Sequence, residues 1–316
     1  MQRRDVLKSV AFVAANAGLA ITSSETAGAV SARTEGPTKN VPQMPFIETH
    51  DHTYLFYKDW GGGKPVIFMH GSPVNSDMWQ YQMAHLASQG LRCIAYDRRG
   101  HGRSSQPGHG YDYDTLADDL AAIIERLDLR GVTLVGHSMS GGEIVRYLTR
   151  HGAGRIARTV FVAATTPFPL KTEDNPDGVD KSRFDQARAV MSKDSPRFFA
   201  SGAPAFFGVG LPKVSVSSEM MQWGVNLCFQ TSLKAIIECN RALTETDLRS
   251  EMRKITVPTL VIHGDADQSA PIDLTGRKTA QLIPGSQFKV YEGAPHGLFI
   301  THMDRLNSDL LAFIKV

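Results

Sequence analysis

The feature that most constrains the fold is a short apolar run that meets a helical pattern through a string of small residues. Residues 132–135 have the composition of a buried strand, and residues 140–150 have the spacing of an amphipathic helix. Between them, Gly136 and Ser140 stand two positions before and after Ser138. A chain turns this sharply from strand to helix only where the neighbouring side chains are small. The segment therefore predicts a strained turn that holds the Ser138 hydroxyl at the carboxyl end of a strand.

Other short apolar runs alternate with helical patterns along the chain. The predicted strands are 66–69, 93–96, 132–135, 160–162, 260–262 and 288–291, and residues 46–60 predict a hairpin before them. The predicted helices are 78–88, 115–127 with Asp114 as candidate N-cap, 140–150, 275–282 and 303–314. Runs this apolar are typical of strands that are buried on both faces. The alternation predicts an α/β fold with a mostly parallel central sheet and helices on both faces.

This alternation stops between the strand at 160–162 and the strand at 260–262. No strand-like run appears there, and aromatic residues recur among helix-compatible segments, including Phe198, Trp223 and Phe229. Because the sheet resumes directly afterwards, we expect residues of about 168–252 to form an inserted helical cap over the strand ends. The alternative is a second small domain with its own core. In a cap that covers Ser138, some of these aromatic side chains must line a substrate pocket, and the three named are the substrate-binding candidates.

A serine hydroxyl is a weak nucleophile at neutral pH and needs a base, which a carboxylate in turn orients. Downstream of Ser138, two candidate acids, Asp265 and Asp267, follow the predicted strand 260–262. His296 follows the last predicted strand. Serine, aspartate and histidine thus occur in this order, each at the carboxyl end of a strand, which predicts a nucleophilic triad.

A reaction at an acyl carbonyl also needs donors for the oxygen that becomes negatively charged. The backbone N–H of Met139 lies at the start of the predicted helix, where the helix dipole is positive. The second candidate donor is the N–H of Ser72, in the loop after the first parallel strand, where Pro73 stiffens the chain. His70 precedes this loop and is interpreted as structural.

Over roughly residues 46–316 the chain resembles the α/β-hydrolases of the cofactor-free, non-haem haloperoxidase and esterase group. Beyond the Ser138 turn, the stretches that carry the resemblance are 96–107, 110–114, 167–178 and 292–298. The resemblance implies that Asp267 is the acid, because the family's acid usually lies three residues after the glycine that ends the strand. Asp265 is then a turn residue. Members often carry an aromatic residue where Ser72 stands and Phe where His137 stands.

The resemblance implies a serine hydrolase that acts on small carboxylic esters through an acyl-enzyme. Proline next to the oxyanion residue accompanies perhydrolysis in that family, and Pro73 fits this pattern. A perhydrolase or apparent haloperoxidase is therefore the alternative enzyme, and a non-catalytic ligand receptor of the same fold is a further alternative.

Composition and motifs limit the partners. The 34 Lys and Arg against 32 Asp and Glu leave a net charge of +2, without the basic patch that nucleic acid or an anionic membrane would need. We expect a small-molecule partner and leave the oligomeric state open. Neither a nucleotide-binding fingerprint nor a metal-ligand motif is present, so no cofactor and no metal are predicted. Cys228 and Cys239 either pair after export or remain buried thiols.

The first residues have the layout of an export signal. Arg3 and Arg4 precede a stretch of small and apolar residues, and cleavage-like sites follow at Ala29 and Ala32. Residues 1–32 resemble a twin-arginine signal peptide, and residues 33–45 are expected to form a linker before the 46–316 domain. This predicts a periplasmic or secreted bacterial protein without a stable membrane anchor. The alternative is a basic N-terminus that stays on a cytoplasmic protein.

Overall fold

The computed structural model describes residues 45–316. The predicted signal peptide, and the predicted linker up to residue 44, lie outside the described residues. Among residues 45–316, no helix is both long enough and apolar enough to cross a membrane.

A single mixed sheet organises the described part of the chain. Its strands are β1 (Phe46–Glu48), β2 (Tyr54–Gly61), β3 (Pro65–Met69), β4 (Arg92–Tyr96), β5 (Val132–His137), β6 (Ile156–Val162), β7 (Thr259–Gly264) and β8 (Gln287–Tyr291). The order across the sheet is β1-β2-β4-β3-β5-β6-β7-β8. β1 and β2 are antiparallel to their neighbours, whereas β3 to β8 run parallel. This arrangement confirms the predicted α/β class.

Helices cover both faces of the sheet. They are α1 (Gln80–Ser88), α2 (Tyr113–Arg126), α3 (Ser140–His151), α4 (Lys181–Phe206), α5 (Ser218–Cys228), α6 (Leu233–Glu245), α7 (Arg249–Met252), α8 (Gly276–Leu282), α9 (Leu298–Thr301) and α10 (Met303–Lys315). Successive strand residues point to opposite faces, so each central strand contributes to two cores. Ile67 and Leu134 pack in one core, and Phe68 and Val135 pack in the other.

The N-cap of α2 differs from the prediction. Asp112, rather than Asp114, precedes the helix in an extended conformation, and its carboxylate accepts the N–H of Thr115 at 3.0 Å. Asp114 lies inside the first turn, where it pairs with Arg146. A capping side chain must belong to the residue just outside the helix, and here the helix begins two residues earlier than its apolar spacing indicated.

The chain between β6 and β7 forms helices α4 to α7 and no strand of the sheet. The long helix α4 is interrupted at Asp194, whose φ and ψ of −156° and 73° are not helical. Asp194 lies two residues before Pro196, and its side chain accepts the N–H of Arg197 at 3.0 Å. The break therefore divides α4 into two segments, because proline cannot continue the helical hydrogen-bond pattern and the aspartate caps the second segment.

Candidate active site

Ser138 occupies a tight turn between β5 and α3. Its φ is +55°, in the left-handed region that residues with a side chain rarely adopt. Its N–H donates to the carbonyl of Val162 at 3.0 Å, which holds the turn against the next strand. A Cβ on Gly136 would stand 2.8 Å from Ile144 Cδ1 and 3.0 Å from the carbonyl oxygen of Ser140, so a side chain two residues before the serine would crowd the turn. The small-residue pattern thus has a steric cause in the structure.

Three side chains from the carboxyl ends of β5, β7 and β8 form one hydrogen-bonded chain. His296 Nε2 lies 3.0 Å from Ser138 Oγ, and His296 Nδ1 lies 2.7 Å from Asp267 Oδ2. Because a carboxylate only accepts, Nδ1 carries the proton of the neutral ring and Nε2 is left to accept the serine proton. All three side chains are buried. The arrangement is that of a nucleophile, its base and an orienting acid.

The two candidate acids occupy different places. Asp267 is buried against His296, as described above, whereas Asp265 is exposed. The Asp265 carboxylate accepts the N–H of Gly293 at 2.6 Å and so ties the loop after β7 to the loop after β8. The structure therefore brings Asp267, and not Asp265, to the histidine.

The second oxygen of Asp267 is held by backbone. Its Oδ1 accepts the N–H groups of Ser269 and Ala270 at 2.9 and 2.8 Å. Burial acts to raise the pKa of this carboxyl, but His296 and His263 outweigh burial and hold the pKa below its usual range. His263 Nε2 lies 3.3 Å from Asp267 Oδ2. The acid is thus fixed in orientation and in its charged form.

His137 supports the loop that carries His296. Its Nε2–H donates to the carbonyl of His296 at 3.1 Å, and the centres of the two rings are 4.7 Å apart. Burial, together with repulsion from His296, lowers the pKa of His137 to about 3. His137 is therefore neutral at physiological pH. In the sequence, His137 stands out only as a departure from the family pattern, and no local signal indicates its contact with the His296 loop.

The two candidate oxyanion donors flank the serine from separate loops. Ser72 lines the cavity that contains Ser138, and Met139 is the N-cap of α3. Both N–H groups are without a protein acceptor in the described part of the chain.

The loop that carries Ser72 is held in place by hydrogen bonds from Arg98 and Ser140 that its sequence does not predict. The carbonyl of His70 accepts from Ser140 Oγ and from Arg98 Nη2, each at 2.7 Å. The Arg98 N–H donates to His70 Nε2 at 2.9 Å, and the His70 Nδ1–H donates to the carbonyl of Gly71 at 2.7 Å. Because Ser140 begins α3, its hydroxyl links the serine turn directly to the Ser72 loop.

A buried ion pair lies beneath this link. Arg98 Nε donates to Glu143 Oε1 at 2.8 Å, and Tyr96 donates its hydroxyl to Glu143 Oε2 at 3.2 Å. Removing one partner of such a pair typically costs about 3–5 kcal/mol, because the other charge stays buried without compensation. The sequence signal that could have indicated this ion pair is Glu143 itself, a glutamate among the small and apolar residues that begin α3.

A cavity of about 590 Å³ lies over Ser138 and His296. Its wall is mainly aromatic and aliphatic, and it includes Phe198 and Trp223 from the cap helices α4 and α5. Of the described residues that line it, none is Asp, Glu, Lys or Arg.

The structure does not bring Phe229 to the cavity. Phe229 follows the last turn of α5 and is 47% exposed, because its position at the helix end turns it toward solvent.

Another aromatic residue, Phe206 at the end of α4, takes a place beside the histidine. Its ring stands edge-on to His296 with 5.2 Å between the ring centres. The sequence shows an aromatic pair at this point, Phe206 and Phe207, and both line the cavity, but it does not show which of the two contacts His296. All three cysteines of the sequence lie in the described part and are free thiols, so Cys228 and Cys239 are not paired. Burial raises the pKa of the Cys228 thiol, which lines the cavity, to about 12.

Known proteins of one family are similar to this chain. The family model described as alpha/beta hydrolase fold matches residues 64–303. A non-heme chloroperoxidase of Kitasatospora aureofaciens is 44% identical over 276 residues, which cover 86% of this chain and 100% of the relative. A bifunctional esterase/perhydrolase of Acinetobacter calcoaceticus is 39% identical, with 86% and 100% covered.

Among solved structures, a bromoperoxidase from Bacillus anthracis superimposes with a TM-score of 0.82 at 37% sequence identity. The match covers 86% of this chain and 99% of that one. The identity, the coverage and the shared sheet confirm the resemblance seen in the sequence. The chain belongs to the α/β-hydrolase family, in its group of non-heme haloperoxidases and esterase/perhydrolases.

Proposed function

We propose that this protein is a serine hydrolase that cleaves small carboxylic esters through an acyl-enzyme. The observation that carries the proposal is the hydrogen-bonded chain from Ser138 through His296 to Asp267, of which Ser138 and His296 line the cavity. Ser138 Oγ attacks the acyl carbonyl while His296 Nε2 takes its proton. The N–H groups of Ser72 and Met139 bind the negatively charged oxygen.

The second half of the reaction uses the same groups. His296 returns the proton to the leaving alcohol, which breaks the ester bond and leaves the acyl group on Ser138. Water then attacks this acyl group as His296 takes one of its protons, and the carboxylic acid leaves with Ser138 restored. Asp267 stabilises the imidazolium that forms in each half.

The cavity supports uncharged, largely apolar substrates. A charged acyl group would lose its hydration there and find no opposite charge among the lining side chains, which makes its binding costly. Apolar acyl groups gain free energy from burial against Phe198 and Trp223.

The test is active-site labelling with a fluorophosphonate, followed by mapping of the labelled residue. We expect one label, on Ser138, and none on the Ser138→Ala variant. Ser201→Ala is the matched control, because Ser201 also lines the cavity but uses its hydroxyl within its own helix. Labelling of another residue, or of none, would contradict the assignment.

A second candidate is perhydrolysis through the same triad, with apparent haloperoxidase activity. Pro73 beside Ser72 and the esterase/perhydrolase relative favour it. Hydrogen peroxide would replace water in attacking the acyl-enzyme and would release a peracid. The peracid would oxidise a halide ion to hypohalite and become the carboxylic acid. Halide oxidation that requires acetate and peroxide and is lost in Ser138→Ala supports this activity, whereas its absence beside good ester turnover favours simple hydrolysis.

The non-catalytic receptor is the least supported alternative, because the similar proteins named above carry the names of enzymes. Saturable ligand binding with negligible turnover by the native protein would favour it.

We also propose that the protein is exported through the twin-arginine route and acts in the periplasm or outside the cell. Support comes from the order of the paired arginines, the apolar stretch and the small residues before Ala32 in the sequence.

A further inference from the structure

The cavity wall formed by the cap contains one polar side chain that a buried charge holds in a fixed orientation. Asn240 lines the cavity together with Ile236 and Leu243 from the same helix, α6. Its amide oxygen accepts from Arg188 Nη1 at 3.1 Å. Arg188 is 5% exposed and is not among the residues that line the cavity.

Arg188 is itself fixed by several acceptors. Its Nη2 donates to Asp185 at 2.6 Å and to Glu245 at 2.8 Å. Its Nη1 also donates to Thr244 Oγ1 at 3.1 Å. The two carboxylates, Asp185 and Glu245, also pair with Lys181. Four acceptors, Asn240 included, thus hold the guanidinium in one orientation.

This environment decides which way the Asn240 amide faces. A guanidinium has donors only, so it binds the amide oxygen and would repel the NH2 group in the flipped orientation. The Nδ2 group is therefore the polar part that remains for the cavity. Within residues 45–316, no protein acceptor takes a hydrogen bond from it. Ser201, another polar residue of the lining, donates instead to the carbonyl of Phe198 at 3.1 Å.

We infer that Asn240 selects substrates whose acyl group carries a second, uncharged hydrogen-bond acceptor, such as an ether, ketone or hydroxyl oxygen, which its Nδ2 group binds. This inference rests on the proposed ester hydrolysis. An uncharged acceptor fits because the lining offers no cation for a carboxylate. The other two lining residues of α6, Ile236 and Leu243, are apolar, so along this helix such an oxygen finds a side-chain donor only at Asn240.

The test is an oxygen scan along the acyl chain. A set of p-nitrophenyl esters of equal chain length is prepared in which an ether oxygen replaces one methylene at successive positions. The measurement is kcat/KM of each ether ester divided by kcat/KM of the all-carbon ester, for every variant. In the native protein we expect a maximum at a single position, about 3- to 10-fold above its neighbours, as one neutral hydrogen bond supplies.

Two variants remove the donor in different ways. Asn240→Leu keeps the approximate size and loses both polar atoms, and Asn240→Asp keeps an acceptor for Arg188 but presents no donor. Both are expected to lose the maximum, and Asn240→Asp covers the case in which the leucine variant does not fold. Leu243→Ala is the matched control, because it changes volume on the same wall and keeps Asn240; the maximum should persist.

The outcomes separate this inference from the proposed function. If the all-carbon ester is hydrolysed but the ratio is flat along the chain, or if both Asn240 variants retain the maximum, the role of Asn240 is wrong while ester hydrolysis stands. If no ester is hydrolysed and Ser138 is not labelled, both are wrong.

Discussion

The two oxygens of the Asp267 carboxylate have different partners, and this difference makes the acid assignment testable. Oδ1 accepts two backbone N–H groups, from Ser269 and Ala270, and Oδ2 faces His296. An asparagine here would keep its carbonyl oxygen on the backbone donors, since an NH2 group would repel them. Its NH2 group would then face His296 Nδ1 and favour the ring tautomer that carries the proton on Nε2.

Asp267→Asn is therefore expected to lower ester turnover by about 10⁴-fold, as the same change does in serine proteases. A histidine protonated on Nε2 cannot accept the proton of Ser138. The measurement is kcat on a chromogenic ester, with circular dichroism to show that the variant is folded.

Asp265→Asn is the matched control, two positions earlier in the chain. Its side chain accepts one N–H, from Gly293, and an amide oxygen can accept the same bond, so the loss should be small. Equal losses in both variants would show that the turn tolerates neither change. The reverse ranking would move the acid to Asp265.

At the scale of elements, the cap helices determine the shape of the cavity. α4 contributes Phe198 and Phe206, and α5 contributes Trp223, whose ring also meets Tyr81 of α1 edge-on with 6.0 Å between the centres. Trp223 thus lines the cavity and also contacts α1. It supplies a rigid apolar boundary against which an acyl chain would pack.

Lengthening the acyl chain should first raise kcat/KM by about fourfold per methylene, which corresponds to about 0.8 kcal/mol of burial. The rise should stop once the chain fills the cavity, because displacing packed side chains costs about 1–3 kcal/mol. Trp223→Ala opens volume and should shift the optimum to longer acyl groups. The measurement is kcat/KM across a series of p-nitrophenyl esters.

Phe229→Ala is the control for this series. It removes an aromatic side chain just beyond the same helix, but one that is exposed and does not line the cavity, so its chain-length profile should match the native one. An unchanged optimum in Trp223→Ala would assign Trp223 to the packing of the cap. A native profile that is flat would contradict a cavity in which the cap helices contact the acyl chain.

At the scale of the whole molecule, the export proposal is independent of catalysis. Changing Arg3 and Arg4 together to lysine keeps the charge but removes the guanidinium groups that the export machinery is expected to read. Full-length precursor should then accumulate in the cytoplasm. The native chain should appear beyond the inner membrane, shortened after Ala29 or Ala32. Cell fractionation with N-terminal sequencing measures both, and an unprocessed native N-terminus would place the protein in the cytoplasm.

The sequence by itself determined the order of strands and helices and the positions of Ser138 and His296 at strand ends. These are local properties: a buried strand shows as a short apolar run, and the turn at Ser138 needs small neighbours whatever lies elsewhere. Chain order also limited the acid to Asp265 or Asp267. The resemblance, rather than the spacing alone, favoured Asp267 before the structure placed it against His296.

Only the tertiary structure decided which side chains meet across distant segments. Which aromatic residues of the cap face the cavity depends on how each helix is rotated against the others, so Phe206 faces it and Phe229 does not. The hydrogen bond from Arg98 to the carbonyl of His70, before Ser72, joins residues that are 28 positions apart. The hydrogen bond from Arg188 to Asn240 joins residues that are 52 positions apart. No local pattern records such pairs, because their hydrogen bonds exist only after packing has removed both partners from water.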